Sequence, residues 1–289
     1  MPASQWTMLN AMAGTELDAA LDKHVELGLH WVDLKNSIYG KEAAALTTTD
    51  ATKAQEAITK RGLETYCLST NLFHADVELG ESHFRKTFYD KVAGIVKVAK
   101  ILKPKLVRLL AATTQYRAEY TDSNAYLASE HSWIYALYRE TIGDLCTAGC
   151  KVVIENEINN CILANPGEIV EFFTRIDRGG KAGYTWDVQN LWQMGTVPTL
   201  EVYQQLKPYI LYYHLKGGMT ADGKPGPLKY ASSLEDANWP LVEITEAVVL
   251  DGVSPVICLN PSHGEQKPGY DYSKIVERDL AYVRKKFGG

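Results

Sequence analysis

Three apolar runs end in side chains of metal-ligating type: VVIENE carries Glu155, YTWDVQN carries Asp187 and LYYHLKG carries His214. Two carboxylates and one imidazole form a mixed oxygen and nitrogen donor set that suits Mn²⁺, Mg²⁺, Co²⁺ or Zn²⁺ and is too poor in thiolate for a structural zinc. Mn²⁺ is the first expectation. Such a site would keep open positions for water or substrate oxygens. A lone acidic residue at the end of a strand is usually solvated or caps a helix. Three charged or ligating residues in three successive apolar runs are another matter, because burying them is costly unless they are paired or bound to a cation.

The elements that must position these residues are legible in the chain. Short β-rich runs alternate eight times with longer segments of helical period, which is the pattern of a parallel sheet covered by helices. The strand candidates are Gln5–Leu9, His30–Leu34, Glu64–Ser69, Leu106–Ala111, Lys151–Asn156, Ala182–Val188, Ile210–Lys216 and Pro255–Leu259. Helical spacing of Leu17, Ala20, Leu21 and Val25 predicts a first helix within Thr15–Leu27, closed by Gly28. The same ending recurs at Gly62, Gly149 and Gly252. Glu155 and Asp187 lie 32 residues apart and Asp187 and His214 lie 27 apart, one βα unit in each case. These features give an α/β fold of class (β/α)8 barrel, a single domain over residues 1–289. In such a barrel the C-terminal strand ends converge on one mouth.

Other residues fall at that mouth by the same counting. Lys35 and Asn36 follow the second strand, Asn71 and His74 the third, and Thr113 the fourth. His74 is a candidate for holding a sugar hydroxyl or moving a proton. Glu157 shares the parity of Glu155 and would point the same way if the strand persisted; otherwise it opens the loop. Asn190 is a candidate for a substrate hydroxyl or for capping a turn, and Trp192 for stacking on the apolar face of a sugar. Trp186, inside its strand, reads as core. The Gly- and Pro-rich stretch opening Gly217–Asn238 is long for a strand-to-helix connection and reads either as a substrate lid or as a surface excursion.

Composition narrows the classes. A net charge of −5, from 30 basic and 35 acidic residues, disfavours a polyanionic partner, so nucleic acid is not expected. No apolar run approaches a membrane span, and the segment MPASQWTMLN lacks the charged-then-apolar order of a signal peptide, so a soluble cytoplasmic protein is expected with no membrane partner. The five cysteines are scattered and read as reduced core residues, with Cys146 and Cys150 as neighbours on one helix face. The 17 tyrosines are compatible with a homo-oligomer or a partner subunit.

The run VVIENE, the pattern G-x-x-x-D-x-x-N in GYTWDVQN and the phrase YYHLKG resemble the xylose isomerase-like TIM barrels. That group includes sugar-phosphate isomerases, tagatose and psicose epimerases, hydroxypyruvate isomerase and endonuclease IV. The resemblance covers nearly the whole chain and implies metal ligation by Glu155, Asp187 and His214. It also implies a fourth ligand that serves as acid/base, a glutamate at the end of the eighth strand. The chain departs there: PVICLNPSHGE puts Asn260 in that place. An amide offers a carbonyl oxygen to a metal but cannot take a proton from carbon. His263, or Glu265, is then a candidate to complete the shell or act as base. Gly217 stands where the pattern has an aspartate after Lys216.

The leading expectation is a divalent-metal-dependent sugar or keto-sugar isomerase or epimerase. It would abstract a proton next to a carbonyl, with Glu155, Glu157, His263 and Lys216 as catalytic candidates. His74, Asn190, Trp192 and Lys216 are the substrate-binding candidates, and the partner is a small-molecule carbohydrate. The missing glutamate motivates a second reading, a lyase that cleaves an oxidised glycoside by β-elimination. A third is a non-catalytic sugar-binding or partner subunit. Hydrolysis of abasic DNA would want more histidines than the 7 present and a basic surface. Phosphate recognition lacks a glycine-rich loop, since RGGKAG leads into the sixth strand at the opposite end.

Overall fold

The computed structural model describes residues 5–261, 265–269, 271 and 274–288. Eight parallel strands form the sheet: β1 (Gln5–Met8), β2 (Trp31–Leu34), β3 (Glu64–Ser69), β4 (Leu106–Leu110), β5 (Lys151–Glu155), β6 (Ala182–Asp187), β7 (Ile210–Leu215) and β8 (Val256–Leu259). Neighbours follow the order β1-β8-β7-β6-β5-β4-β3-β2. The ring closes between β1 and β2, where Leu9 bridges Asp33 and the Thr7 hydroxyl donates to the Trp31 carbonyl at 2.7 Å. Each strand is followed by a covering helix: α1 (Leu17–Glu26), α2 (Thr48–Lys60), α3 (Gly80–Leu102), α4 (Trp133–Cys146), α5 (Pro166–Ile176), α6 (Leu200–Leu206), α7 (Leu241–Asp251) and α8 (Ile275–Phe287). The (β/α)8 barrel expected from the sequence is the fold observed.

Local chemistry explains where the helices begin and end. Thr47 and Asp50 form a reciprocal capping box at the start of α2, and Asn165 accepts from the Glu168 amide ahead of α5, which carries Pro166 in its first turn. The predicted closing glycines Gly28, Gly62, Gly149 and Gly252 all adopt positive φ, between 64° and 86°, a region that costs any other residue its Cβ clearance. One cysteine expectation needs correction. The helix α4 stops at Cys146 and a turn through Gly149 intervenes, so Cys150 sits below β5 and does not share a helix face with Cys146. All five cysteines are free, and four are buried.

Two cores result from the alternation of side chains along the strands. The larger lies between sheet and helices, where Trp186 stacks with Tyr203 at 5.9 Å. The smaller fills the barrel and includes Tyr66, Leu106, Val153, Tyr212, Val256 and Cys258. Two residues further along four of these strands come Arg108, Glu155, His214 and Asn260, so the interior turns from apolar to polar as it rises to the mouth. Among the described residues no helix is long and apolar enough to cross a membrane.

The long connection after β7 is a folded excursion. Met219 and Tyr230 exchange backbone hydrogen bonds at 3.0 and 3.1 Å, and Tyr230–Ala231 pairs in parallel with Glu265–Gln266. Its far end, at the Leu234 amide, is held by the Asp279 carboxylate of α8 at 2.9 Å. A Cβ on Gly217 would collide with the backbone carbonyl of Ser233, which accounts for glycine directly after Lys216.

Candidate metal centre

Glu155 and Asp187 end β5 and β6, His214 is the last residue but one of β7, and the register pairs Glu155 with Thr185 and Asp187 with His214. Each offers one ligand atom, and these atoms lie within 4.8 Å of one another. All three side chains are buried. His214 Nδ1 lies 2.8 Å from Glu155 Oε1, without the direction of a hydrogen bond. Asp187 Oδ1 caps the short helix Val188–Gln193 by accepting from the Asn190 amide at 3.0 Å. Both His214 ring nitrogens lack a hydrogen-bond partner, and Asp187 Oδ2 has only the Lys216 ammonium against it. A buried imidazole is rarely left so, and a cation held by one of its nitrogens together with Glu155 and Asp187 would satisfy that nitrogen, the other pointing to the far side of the ring. The donor set therefore fits a divalent metal.

Two protein cations already sit against these carboxylates. Arg108, 1% exposed on β4, forms an ion pair with Glu155 through Nη1 and donates from Nη2 to the Thr70 carbonyl at 3.2 Å. Lys216 Nζ lies 2.6 Å from Asp187 Oδ2. Burial opposes the charge on Glu155, but Arg108, then His214 and Lys216, outweigh it and hold the carboxyl below the ordinary carboxylate range. Burial raises the carboxyl of Asp187, with Lys216 opposing that rise. The same burial disfavours the Lys216 ammonium, and the carboxylates of Asp187, Glu155 and Glu157 overcome it.

Of the trio, Glu155 lines a cavity of about 280 Å³ together with Lys35, Glu157, Asn190, Lys216 and Asn260 from the residues singled out in the sequence, while Asp187 and His214 lie behind that lining. Glu157 has left β5 and opens the loop, yet it still faces the cavity. Asn260, 5% exposed, reaches the lining, and its backbone N–H donates to the Leu215 carbonyl at 3.1 Å. Two candidates fall elsewhere. His74 is exposed and does not line the cavity. Trp192 is buried against Trp239, with ring centroids 5.4 Å apart, because the helical turn after Asp187 swings it away from the mouth. His263 lies outside the described residues. Thr113 joins Asp76 and Cys161 through backbone bridges.

Two residues central to this geometry were given no role by the sequence. Arg108 is one, and its signal was a single charge inside the apolar strand LVRLL. Asn156 is the other: its Oδ1 accepts from the Tyr184 hydroxyl at 2.6 Å and the Asp187 amide at 3.3 Å, and its carbonyl accepts from Asn190 Nδ2 at 2.8 Å. Asn156 thereby fixes where Asp187 stands. A second trio, Asp33, His214 and Cys258, lies deeper, where Asp33 accepts from the Tyr212 hydroxyl at 2.9 Å. Burial raises both Asp33 and the Cys258 thiol, which suits a polar floor under the site.

No family model matches the chain, and no curated protein matches it. Solved structures do. The D-psicose 3-epimerase of Clostridium cellulolyticum H10, solved with D-tagatose, is 13% identical at a TM-score of 0.72, over 99% of this chain and 100% of that one. The probable 3-DHS dehydratase AsbF of Bacillus anthracis is 16% identical at 0.71, over 96% and 98%. A xylose isomerase-like TIM barrel protein from Mycobacterium smegmatis, in complex with magnesium, is 15% identical at 0.68, over 99% and 96%. The chain thus has the fold of the xylose isomerase-like TIM barrels.

Proposed function

We propose that the protein is a divalent-metal-dependent enzyme that isomerises or epimerises a sugar or keto-sugar by moving a proton on a carbon next to a carbonyl. The observation that carries this reading is the gathering of three buried ligand atoms within 4.8 Å of one another, one of them on Glu155, which lines a cavity together with Glu157. Glu155, Asp187 and His214 would hold the metal, Mn²⁺ being the first choice and Asn260 the candidate for a further oxygen. When bound, the metal supplies Lewis acidity toward the oxygens of the reacting carbons.

The chain's own groups do the proton work. Glu157 reaches the cavity with no ion-pair partner among the described residues, so its carboxylate is free to take the proton from carbon. Lys216 donates to the substrate oxygen on which negative charge grows, and its pairing with Asp187 keeps it protonated for that purpose. Return of the proton to the neighbouring carbon gives isomerisation, and return to the opposite face of the same carbon gives epimerisation. Asn190 and Asn260 present amides for substrate hydroxyls. Because Asn260 is no acid/base, a single carboxylate must serve both transfers or a second group must assist.

The neighbouring dehydratase keeps elimination as a second reading: loss of a β-substituent from the same carbanionic state would make the enzyme a lyase. The test for both is exchange of carbon-bound hydrogen with deuterated solvent in the presence of Mn²⁺, across a panel of neutral and acidic ketoses. Exchange should occur in the wild type and fall by about 10²- to 10⁴-fold in Glu157→Gln. Absence of exchange on every ketose rejects the shared step, and undiminished exchange in E157Q removes Glu157 from it.

A further inference from the structure

Three cationic side chains line the cavity. Its lining contains Lys35, Arg108 and Lys216 against Glu155 and Glu157, in a chain whose overall charge is −5. Arg108 and Lys216 have anionic partners in Glu155 and Asp187. Lys35 has no ion pair among the described residues, although it projects from the end of β2 into the same space. Its position is fixed from the backbone: Asn10 Oδ1 accepts from the Lys35 amide at 2.9 Å, and Asn10 Nδ2 donates to the Asn36 carbonyl at 2.6 Å. Arg108 keeps an unpartnered Nε–H although its side chain is only 1% exposed. Two donors of positive charge are thus unsatisfied at one mouth.

We propose that Lys35, together with Arg108, forms a carboxylate subsite, so that the substrate is a sugar acid or hydroxy-keto acid and not a neutral sugar. The assignment rests on the reading of this cavity as the substrate site. A divalent cation on Glu155 and Asp187 would draw on the two carboxylates that now balance Arg108 and Lys216, so the loaded site would hold a surplus of positive charge for one more anion to neutralise. Like-charge crowding by Arg108, then burial and Lys216, holds the Lys35 ammonium below the ordinary lysine range, even though Glu155 and Glu157 oppose this. A bound carboxylate relieves that crowding.

A phosphate fits less well. Phosphate sites use backbone amides at a glycine-rich turn or a free helix start. No glycine lines this cavity among the described residues, and the helix start beside it is already capped by Asp187. The remaining lining, with Gln189, Asn190, Gln193 and Asn260, offers neutral amides suited to the hydroxyls of the same molecule.

The experiment is calorimetric titration of the full chain, with Mn²⁺ and separately with EDTA, using ligands matched in length. D-gluconate is compared with D-glucitol, D-glycerate with glycerol, and glycerol 3-phosphate is the phosphate arm. In at least one pair the acid should bind about ten-fold or more tightly than its polyol, as a charge-assisted contact gives. Lys35→Met should erase that preference and Lys35→Arg should retain part of it, in variants that still unfold cooperatively. Equal binding of acid and polyol in both pairs overturns the proposal in the wild type alone, as does a preference that survives in K35M. Tighter binding of glycerol 3-phosphate than of glycerate, lost in K35M, would assign the subsite to phosphate and overturn the carboxylate. A separate Mn²⁺ titration without organic ligand reports on the metal centre, so its failure is distinguishable from failure of the subsite.

Discussion

Arg108 and Glu155 form an ion pair whose two side chains are 1% and 2% exposed, on adjacent strands of the barrel. A buried pair of this kind is costly to break, because removal of one partner leaves the other charged and unsolvated. Arg108→Met should therefore destabilise the metal-free protein by about 3–5 kcal/mol in chemical denaturation. Saturating Mn²⁺ should restore part of that loss, since a cation on Glu155 does what the guanidinium did. A variant as stable as the wild type without metal, or one that gains no more from Mn²⁺ than the wild type gains, would count against this balance of charges.

Asn260 lines the cavity at the end of β8, with Glu155 and Glu157 among its fellow lining residues. Asn260→Glu would add a third carboxylate to that lining. In the metal-free state it should lower stability through like-charge repulsion, whereas Mn²⁺ should bind about ten-fold or more tightly, a gain of about 1.4 kcal/mol. Competition with a fluorescent chelator measures the second effect. Unchanged or weakened Mn²⁺ affinity would place position 260 outside the metal shell.

The gathering of Glu155, Asp187 and His214 was readable because a charge or imidazole inside an apolar strand is an energetic anomaly that sequence displays directly. Arg108 and Asp33 display the same anomaly in LVRLL and WVDL, but their meaning depends on partners from other strands, which linear spacing does not reveal. Asn156 was harder still. Its amide is satisfied by Tyr184 and Asp187, and nothing about an Asn after Glu155 announces them. Trp192 illustrates the opposite hazard: counting residues beyond β6 put it at the mouth, while one helical turn carried it into contact with Trp239. Strand order and parity survive in one dimension, but the direction taken by a loop does not.

Gly217 follows Lys216 where the chain leaves the barrel, and a Cβ there would meet the Ser233 carbonyl and lie 2.8 Å from the Ser232 carbonyl. Backbone atoms cannot step aside as a flexible side chain can. Gly217→Ala should cost about 1–3 kcal/mol through overpacking and should loosen residues 218–238. Limited proteolysis should cut that segment faster in the variant than in the wild type. Equal cleavage and equal stability would show that the excursion adjusts freely.

Asp279 holds the far end of the same excursion by accepting from the Leu234 amide at 2.9 Å, and burial pushes its carboxyl up to about 7. In the unfolded chain the group titrates near 3.8. Between these values the folded state binds more protons than the unfolded one, so this residue's contribution is complete below pH ~4 and is lost as pH rises through ~7. The loss is at most about 1.4 kcal/mol for each pH unit in that window. Asp279→Asn keeps an acceptor for Leu234 and removes the titration. Its stability relative to the wild type should therefore improve steadily from pH 4 to pH 7 in urea denaturation at matched ionic strength, roughly the span set by the two protonation equilibria. A difference that stays constant across this range would mean that Asp279 is not held protonated by its burial.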